Sequence, residues 1–297
     1  MNDTPLLDGR GAVVVGGSRG IGEAVAGLLA AHGAGVVVNG RDPGAAGRAA
    51  GVICADGGRA VAHPGSPADD EVARSLVAAC EAEYGRIDIL VNCAGTAEPP
   101  GSSILNITTA DFADLLDAHL GTVFQTCRAA APKMVDQGAG VIVNTGSIAF
   151  LGDYGGTGYP AGKGAVTSLT LAIAAELKEH GVRANVVCPG ARTRLSAGPD
   201  YQKHIADLYR RGMLDDATMQ GSLDAATPEY AAPMYVYLAT DFARAVTGEI
   251  FVASGGFVGR FDRAALSLIG YRDHHDSPPW ALADIHGMVG PKEARFL

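Results

Sequence analysis

A tyrosine and a lysine four residues apart stand in the glycine-rich run 152–166, which reads GDYGGTGYPAGKGAV. Residues at i and i+4 share one face of a helix, so the ammonium of Lys163 can lie beside the phenol of Tyr159. A free tyrosine has a pKa of about 10, and a neighbouring cation favours the phenolate. The pair therefore predicts a proton donor or acceptor whose pKa is lowered toward the working pH.

A serine, Ser147, precedes this tyrosine by twelve residues in the segment NTGSIAF. Two readings are open for Ser147, Tyr159 and Lys163: they form a catalytic set, or a glycine-rich loop simply enters an ordinary helix. The spacing Y-x-x-x-K occurs by chance on many helices, and serines often end strands. The choice between the readings therefore depends on the rest of the chain.

A second glycine-rich run, GGSRGIG at 16–22, follows the first predicted strand and opens a helix. Its glycines, Gly16, Gly20 and Gly22 among them, permit a tight turn and close backbone approach. The helix N-terminus presents free N–H groups to a pyrophosphate. The spacing G-x-x-x-G-x-G also fits a purely structural turn, but its place in the first βα unit favours a dinucleotide site.

The end of the second predicted strand bears on the choice between NADP and NAD. An acidic residue there would bond a free ribose 2′-hydroxyl and repel a 2′-phosphate. The chain has Gly40 and Arg41 at this edge, with no acid before Asp42, and Arg19 stands in the glycine loop. A pair of guanidinium groups clamps phosphate well, so NADP is predicted as the preferred cofactor, with NAD the alternative. On the competing reading, both arginines are solvated surface charges.

Apolar Val/Ile-rich runs alternate with Ala/Leu-rich helical stretches along the chain. This alternation predicts an α/β fold: a doubly wound, mostly parallel seven-stranded sheet with helices on both faces, in a single domain over 1–297. Two segments exceed the pattern: 196–227, expected to form a lid over the substrate, and a C-terminal extension at 258–297. The seven predicted strands are 11–17, 35–40, 58–64, 86–95, 140–147, 183–190 and 248–256.

Composition excludes several classes of protein. The net charge of −9 argues against a nucleic-acid partner, and no run is long and apolar enough to span a membrane. The five cysteines show no CxxC spacing, and the N-terminus does not read as a secretory signal, so reduced thiols in a cytoplasmic protein are expected. His274 and His275, flanked by aspartates, are interpreted as part of a solvated tail, and no metal is predicted.

Taken together, the motifs resemble the short-chain dehydrogenase/reductase superfamily of the single-domain kind. The resemblance is carried by GGSRGIG, NCAG at 92–95, Ser147, YPAGK at 159–163 and PGART at 189–193, in the family's order, and covers residues 9 to about 256. It implies an NAD(P)-dependent oxidoreductase acting on a small carbonyl or secondary-alcohol substrate. It also implies a homodimer or homotetramer formed through the long helices 109–137 and 159–180.

The resemblance also implies roles for individual residues. Tyr159 would exchange a proton with the substrate oxygen, Lys163 would lower the pKa of Tyr159 and bind the nicotinamide ribose, and Ser147 would bond the substrate oxygen. Thr193 is a candidate for bonding the nicotinamide carboxamide. The full set of expected cofactor-binding residues is Gly16, Ser18, Arg19, Gly20, Ile21, Gly22, Arg41, Asn92, Ala94, Gly95, Tyr159, Lys163, Pro189, Gly190 and Thr193.

A narrower likeness is carried by AHLGTVF, GDYGGTGY and PGARTRL. These phrases are similar to the (3R)-hydroxyacyl-CoA dehydrogenase region of peroxisomal multifunctional enzymes and their bacterial relatives. That likeness suggests an acyl-thioester substrate and, as an alternative function, an NAD-linked 3-hydroxyacyl-thioester dehydrogenase. Those enzymes usually have an aspartate where this chain has Gly40. A further alternative is a non-catalytic cofactor-binding protein of the same fold.

Two departures from the family pattern fall near the predicted catalytic residues. His119 stands where the family commonly has an asparagine that supports a water next to the lysine. A histidine can hold that water or join a proton relay, because its pKa lies near physiological pH, or it can act as a spacer. His119 is therefore included among the candidate catalytic residues. The interval from Ser147 to Tyr159 is one residue shorter than the family's usual thirteen.

Overall fold

The computed structural model describes residues 5–154 and 156–290. The chain divides into two compact units, one ending at Phe261 and the other beginning at Asp262. The first unit contains the whole sheet and the predicted site residues. In the second unit, the described residues include one helix, α10, at Leu282–Val289.

The sheet has eight strands in the order β3-β2-β1-β4-β5-β6-β7-β8. The first seven run parallel to one another, as the fold prediction requires. Their bounds are β1 Gly11–Val15, β2 Gly35–Gly40, β3 Arg59–Pro64, β4 Ile89–Asn92, β5 Gly140–Thr145, β6 Val182–Gly190 and β7 Ile250–Ser254.

The prediction of seven strands is one short. Residues Phe257–Phe261 form an eighth strand, β8, which pairs antiparallel with β7. The sequence analysis placed all but the first of these residues in the C-terminal extension. The reversal occurs at Gly255, whose φ of 54° lies in the left-handed region that glycine adopts without strain. Two adjacent glycines were read as the end of the sheet, whereas they make a hairpin turn.

Nine helices of the first unit surround this sheet or cover its edge: α1 Gly20–Ala31, α2 Pro43–Ala55, α3 Asp70–Tyr84, α4 Thr109–Leu116, α5 Thr122–Gln137, α6 Gly158–Leu177, α7 Pro199–Arg210, α8 Asp216–Leu223 and α9 Ala232–Ala239, counted over the described residues. The predicted long helix 109–137 is interrupted. A π-helical turn at Asp117–Gly121 joins α4 to α5 and contains His119.

Strands β1, β2, β4 and β5 are buried on both faces, as their Val/Ile-rich sequences predict, whereas β3, β7 and β8 are partly exposed. In β1, Val14 packs into one core layer with α1, while Val13 and Val15 pack into the opposite layer. This alternation follows from the two-residue period of side chains along a strand. Burial on both sides fixes the carboxyl ends of the strands, from which the site residues extend.

The segment predicted as a lid forms the helices α7 and α8. Ile205 and Leu208 of α7 and Leu214 of the following turn form a small apolar cluster, against which Met219 of α8 packs, separate from the two core layers of the sheet. None of the helices described is long and apolar enough to cross a membrane. All five cysteines are free thiols, as predicted.

Candidate active site

A cleft of about 2080 Å³ opens at the carboxyl ends of the parallel strands. This is where open α/β sheets bind ligands, at the point where the strand order reverses, here between β1 and β4. Its volume exceeds the roughly 300–1,000 Å³ of a single-ligand pocket, so the cleft has room for a dinucleotide together with a substrate. The predicted site residues on its wall are Gly16, Ser18, Arg19, Gly20, Ile21, Gly22, Arg41, Ala94, Gly95, His119, Ser147, Tyr159, Lys163, Pro189, Gly190 and Thr193.

The glycine loop is shaped by close backbone contacts. Gly16 has a φ of 73°, and a Cβ placed on it would lie 2.7 Å from the amide nitrogen of Ala94. A Cβ on Gly22 would lie 2.2 Å from the carbonyl oxygen of Gly16. Helix α1 begins at Gly20 without a side-chain cap on its first N–H groups. These free donors and the space cleared by the glycines fit the pyrophosphate of NAD or NADP.

The edge of the cleft at the end of β2 is positively charged. Asp42, the nearest acid, already uses both oxygens: Oδ1 accepts from the amides of Gly44 and Ala45 at 2.9 and 3.2 Å. Its Oδ2 accepts from the Arg19 guanidinium at 2.9 Å. The backbone hydrogen bond from Ala45 has the largest effect on the pKa of Asp42 and, with the Gly44 amide and nearby arginines, holds it below its ordinary value against the opposing effect of burial. Arg41 makes no ion pair among the residues the structure describes.

Gly40 stands where an acid would select NAD. A Cβ on Gly40 would lie 2.3 Å from the Oγ of Ser18, so the serine side chain fills the space that a larger residue would need. The glycine loop therefore packs closely against the end of β2 because Gly40 has no side chain. This arrangement leaves Arg41 and Arg19 as the cationic groups at this edge of the cleft, with Asp42 paired to Arg19.

Tyr159 and Ser147 meet despite the shortened interval between them. The Ser147 hydroxyl lies close enough to the Tyr159 phenol to lower the pKa of that phenol. Burial has the larger effect and raises this pKa overall, with a smaller rise from the nearby Cys188. The structure therefore differs from the prediction of a lowered pKa, because desolvation of the phenolate outweighs the favourable contact.

Lys163 is 4% exposed and lies on the same side of α6 as Tyr159. Its Nζ is 5.9 Å from the centroid of the Tyr159 ring and donates a hydrogen bond to the carbonyl oxygen of Thr145 at 2.9 Å. Burial lowers the pKa of the Lys163 ammonium to about 8. The ammonium is thus held by the last residue of β5 at the floor of the cleft.

His119 is 1% exposed and lies against Tyr159, with the two rings edge to face at 5.0 Å between centroids. Its Nε2 is 3.1 Å from the carbonyl oxygen of Thr96, so Nε2 carries the proton and donates. The Nδ1 atom is buried without a partner among the described residues. Burial, followed by the charge of Lys163, lowers the pKa of His119 to about 3. The ring is therefore neutral, with a lone pair on Nδ1.

Asn92 is the one predicted site residue that does not line the cleft. Its side chain is buried below the floor, where Nδ2 donates to Asn144 at 2.8 Å and Oδ1 accepts from Thr126 at 2.9 Å. As the last residue of β4, it faces the helix layer rather than the strand end. Its prediction as a cofactor-binding residue is therefore not supported by the geometry, which assigns it to a polar network in the core.

Two residues of the site were missed by the sequence analysis. Thr145 anchors Lys163 through a backbone oxygen, which no side-chain pattern reveals. Glu98 lines the cleft and accepts three hydrogen bonds from the start of α6. Its only sequence signal is an acid shortly after NCAG, and its partners lie about sixty positions further along the chain.

The family described as short chain dehydrogenase matches residues 10–197. The chain is 34% identical over 257 residues to (+)-borneol dehydrogenase 2 of Salvia officinalis, covering 84% of this chain and 90% of that protein. It is 32% identical over 254 residues to a 3alpha-hydroxysteroid dehydrogenase of Mediterraneibacter gnavus, covering 84% and 97%.

A solved structure of a short chain dehydrogenase also matches this chain over most of its length. The crystal structure of a short chain dehydrogenase from Mycobacterium avium matches with a TM-score of 0.79 and 32% identity. The match covers 96% of this chain and 94% of the other. Neither relative named above is a (3R)-hydroxyacyl-CoA dehydrogenase, so the narrower likeness drawn from the sequence stays a prediction.

Proposed function

Because the chain belongs to the short-chain dehydrogenase family, whose members are oxidoreductases acting on alcohol and carbonyl groups, we propose that Tyr159, Lys163 and Ser147 carry this reaction with NADP(H). The observation that carries the proposal is that Ser147, Tyr159 and the buried Lys163 line one cleft together with the glycine loop, with Ser147 close enough to the phenol to lower its pKa. A glycine-rich loop entering an ordinary helix would not require the three side chains to meet at a strand end.

The reduced cofactor supplies a hydride to the carbonyl carbon, and the protein must deliver one proton to the oxygen. In this proposal, Ser147 donates a hydrogen bond to the carbonyl oxygen and Tyr159 donates its phenolic proton to it. A raised pKa suits Tyr159 to this role, since the phenol is then protonated before the reaction. In the oxidative direction, the Tyr159 oxygen, in its deprotonated form, accepts the proton of the alcohol.

Lys163 stabilises the phenolate that remains after the transfer. A buried cation in a medium of low dielectric constant interacts strongly with a nearby developing charge. Its pKa of about 8 leaves the ammonium protonated at neutral pH. Lys163 is also placed to bond the ribose of the nicotinamide half, since its side chain lines the same wall of the cleft.

His119 supports the proton relay as an acceptor. A Cβ on Gly95 would lie 3.2 Å from His119 Nδ1 and 3.8 Å from Lys163 Nζ, so both nitrogens border the same point. A pKa of about 3 prevents the imidazole from taking up a second proton at neutral pH, so Nδ1 keeps its lone pair. We therefore assign Nδ1 the role of orienting a water molecule toward Lys163.

NADP is proposed over NAD on the charge at the end of β2. Arg41 has no competing ion pair among the described residues, and Asp42 is occupied as the cap of α2 and by Arg19. A ribose 2′-phosphate would therefore meet guanidinium groups rather than a free carboxylate. Asn39, directly before Gly40, is buried, so its amide is not a substitute for the acid.

The substrate is proposed to be a small, partly apolar alcohol or ketone. The cleft wall includes Tyr201 of the lid together with Tyr154 and Leu195, which offer apolar surface to a substrate. A homodimer or homotetramer through α5 and α6 is part of the same proposal. Phe124, on α5, is 47% exposed and borders a shallow apolar depression with Leu116 and Leu169, as an interface would require.

The test is Tyr159→Phe in a panel of ketones, steroids and acyl thioesters assayed with NADPH and NADH. The variant should lose nearly all turnover while NADPH binding is retained, because only the phenolic proton is removed. Optical assay of cofactor oxidation and fluorescence titration of NADPH measure the two effects. Unchanged turnover in Tyr159→Phe would refute the mechanism, and activity confined to acyl thioesters would favour the narrower family likeness.

A further inference from the structure

Glu98 lies in the loop between β4 and α4, far in sequence from the residues that its carboxylate contacts. Oε1 accepts hydrogen bonds from the backbone amides of Thr157 and Gly158 at 2.8 and 3.0 Å. Oε2 accepts from the backbone amide of Tyr159 at 2.7 Å. Ser102, in the same loop as Glu98, donates to Oε1 at 3.1 Å. The carboxylate thus holds three consecutive amides at the start of α6.

These bonds complete the hydrogen bonding of the first turn of α6. The first N–H groups of a helix have no partners within the helix. Thr157, which precedes α6, makes no side-chain cap, and Pro160 has no N–H to satisfy. Ala161 returns to the carbonyl oxygen of Thr157 at 3.3 Å. Glu98 therefore takes every free donor that local residues leave unbonded.

The chain around Gly156 is shaped to receive this carboxylate. Gly156 has a φ of 77°, and a Cβ there would lie 2.6 Å from Glu98 Oε2. Any larger residue would be strained and would also displace the acid. The negative charge lies at the positive end of the dipole of α6, where charge-assisted hydrogen bonds to amides are strong.

We propose that Glu98 is a positioning residue for Tyr159, which it fixes by tying the first turn of the helix to the loop after β4. Helix ends fray, and Tyr159 is the second residue of α6. The catalytic phenol would therefore lie on the least ordered turn of its helix without an external anchor. The inference rests on the proposed function, in which Tyr159 transfers the proton.

The loop between β4 and α4 also contacts the surroundings of the Tyr159 ring, through Thr96 and His119. The carbonyl oxygen of Thr96 accepts from His119, whose ring packs edge to face on the tyrosine. Two residues apart, Thr96 and Glu98 therefore hold the ring environment and the backbone of Tyr159. The competing account, that Glu98 is only a stabilising helix cap, predicts a loss of stability without a selective loss of turnover.

The experiment compares Glu98→Ala and Glu98→Gln with the control Asp69→Ala. Asp69 caps α3 by accepting from the amides of Glu71 and Val72, and it lies outside the cleft. Glu98→Ala should lower kcat on the order of 100-fold, the penalty for displacing a catalytic group by about 1 Å. Glu98→Gln should lose less, since one oxygen still accepts while the amide nitrogen cannot. Asp69→Ala should lower Tm with kcat unchanged.

Two further measurements separate positioning from simple capping. Glu98→Ala should leave the Kd for NADPH nearly unchanged and should speed hydrogen exchange at the amides of 157–159. In alcohol oxidation, the pH limb belonging to Tyr159 should move upward, because the displaced phenol moves away from the Ser147 hydroxyl that lowers its pKa. The Glu98 charge is not among the causes that set this pKa, so the displacement reports geometry.

A Glu98→Ala enzyme with lowered Tm but wild-type kcat and pH limb would overturn the inference. Retained turnover in Tyr159→Phe would instead refute the proposed function. The two failures are distinguishable, since an inactive Tyr159→Phe enzyme beside a fully active Glu98→Ala enzyme refutes only the role of Glu98. Unchanged exchange at 157–159 in Glu98→Ala would also contradict the inference, whatever the substrate.

Discussion

The floor and the rim of the cleft are built in opposite ways. At the floor, Lys163 and His119 are buried and each is held by a backbone carbonyl oxygen. At the rim, Arg41 and Arg19 are exposed, and Arg19 is held only by an ion pair that is open to solvent. The floor is thus fixed by the backbone of β5 and of the loop after β4, whereas the positions of the charges at the rim depend on side-chain rotamers. Chemistry and cofactor choice should therefore respond differently to substitution.

The strongest test of this contrast removes the buried ammonium. Lys163→Met keeps approximate volume but leaves no charge beside Tyr159, so turnover should fall by about 10²- to 10⁴-fold, the usual contribution of acid–base assistance. Steady-state assay gives kcat, and thermal unfolding checks that the fold is retained. A variant that keeps most of its turnover would show that the floor contributes no catalytic electrostatics.

A smaller effect is expected at the rim, where Arg41→Ala should raise the KM for NADPH by about tenfold. A hydrogen bond to a charged group contributes about 1.5–3 kcal/mol, and NADH lacks the 2′-phosphate that would receive it. The KM for NADH and kcat should hardly change. Arg48→Ala is the matched control, since Arg48 lies on α2 outside the cleft wall. Equal effects on the two cofactors would remove the argument for NADP.

The smallest expected effect concerns the acid side of the stability curve. His119 has a folded-state pKa of about 3, against about 6.5 when unfolded, so the unfolded chain binds more protons between these values. Its contribution to stability is complete above pH 6.5 and is lost as pH falls toward 3. His119→Asn should flatten this loss by up to about 1.4 kcal/mol per pH unit. Urea unfolding at several pH values measures the slope, and parallel curves would contradict the assignment.

The sequence predicted the residues that could carry the chemistry, but it did not predict the residues that hold them in place. Tyr159, Lys163 and Ser147 were found because their types and order carry chemistry, even with one residue missing between Ser147 and Tyr159. Thr145 and Glu98 act through or upon backbone atoms, and backbone partners leave no mark on residue type. Long-range contacts of this kind need the fold before they can be seen.

The fold class was predicted correctly, but the strand count and the unbroken helix 109–137 were wrong, because strand or helical character continued past an unusual join. The eighth strand lay behind Gly255 and Gly256, whose adjacency suggested an end rather than a hairpin. Asn92 was assigned to the cofactor from its place in NCAG, but its side chain points below the floor. A sequence motif predicts where along a strand a residue lies, but it does not show on which face of the sheet the side chain of that residue lies.

The π-helical turn at Asp117–Gly121 changes the direction in which side chains point between α4 and α5. A regular helix turns by a fixed angle per residue, so one stripe of side chains would have to serve every neighbour along its length. Here α4 packs against α6, whereas α5 packs against α3. The wider turn resets the angular phase between them without a loop, and His119 lies at the reset. Deleting one residue there would rotate α5 relative to α4 and move the histidine away from Tyr159, so the geometry at the floor depends on a helix being irregular.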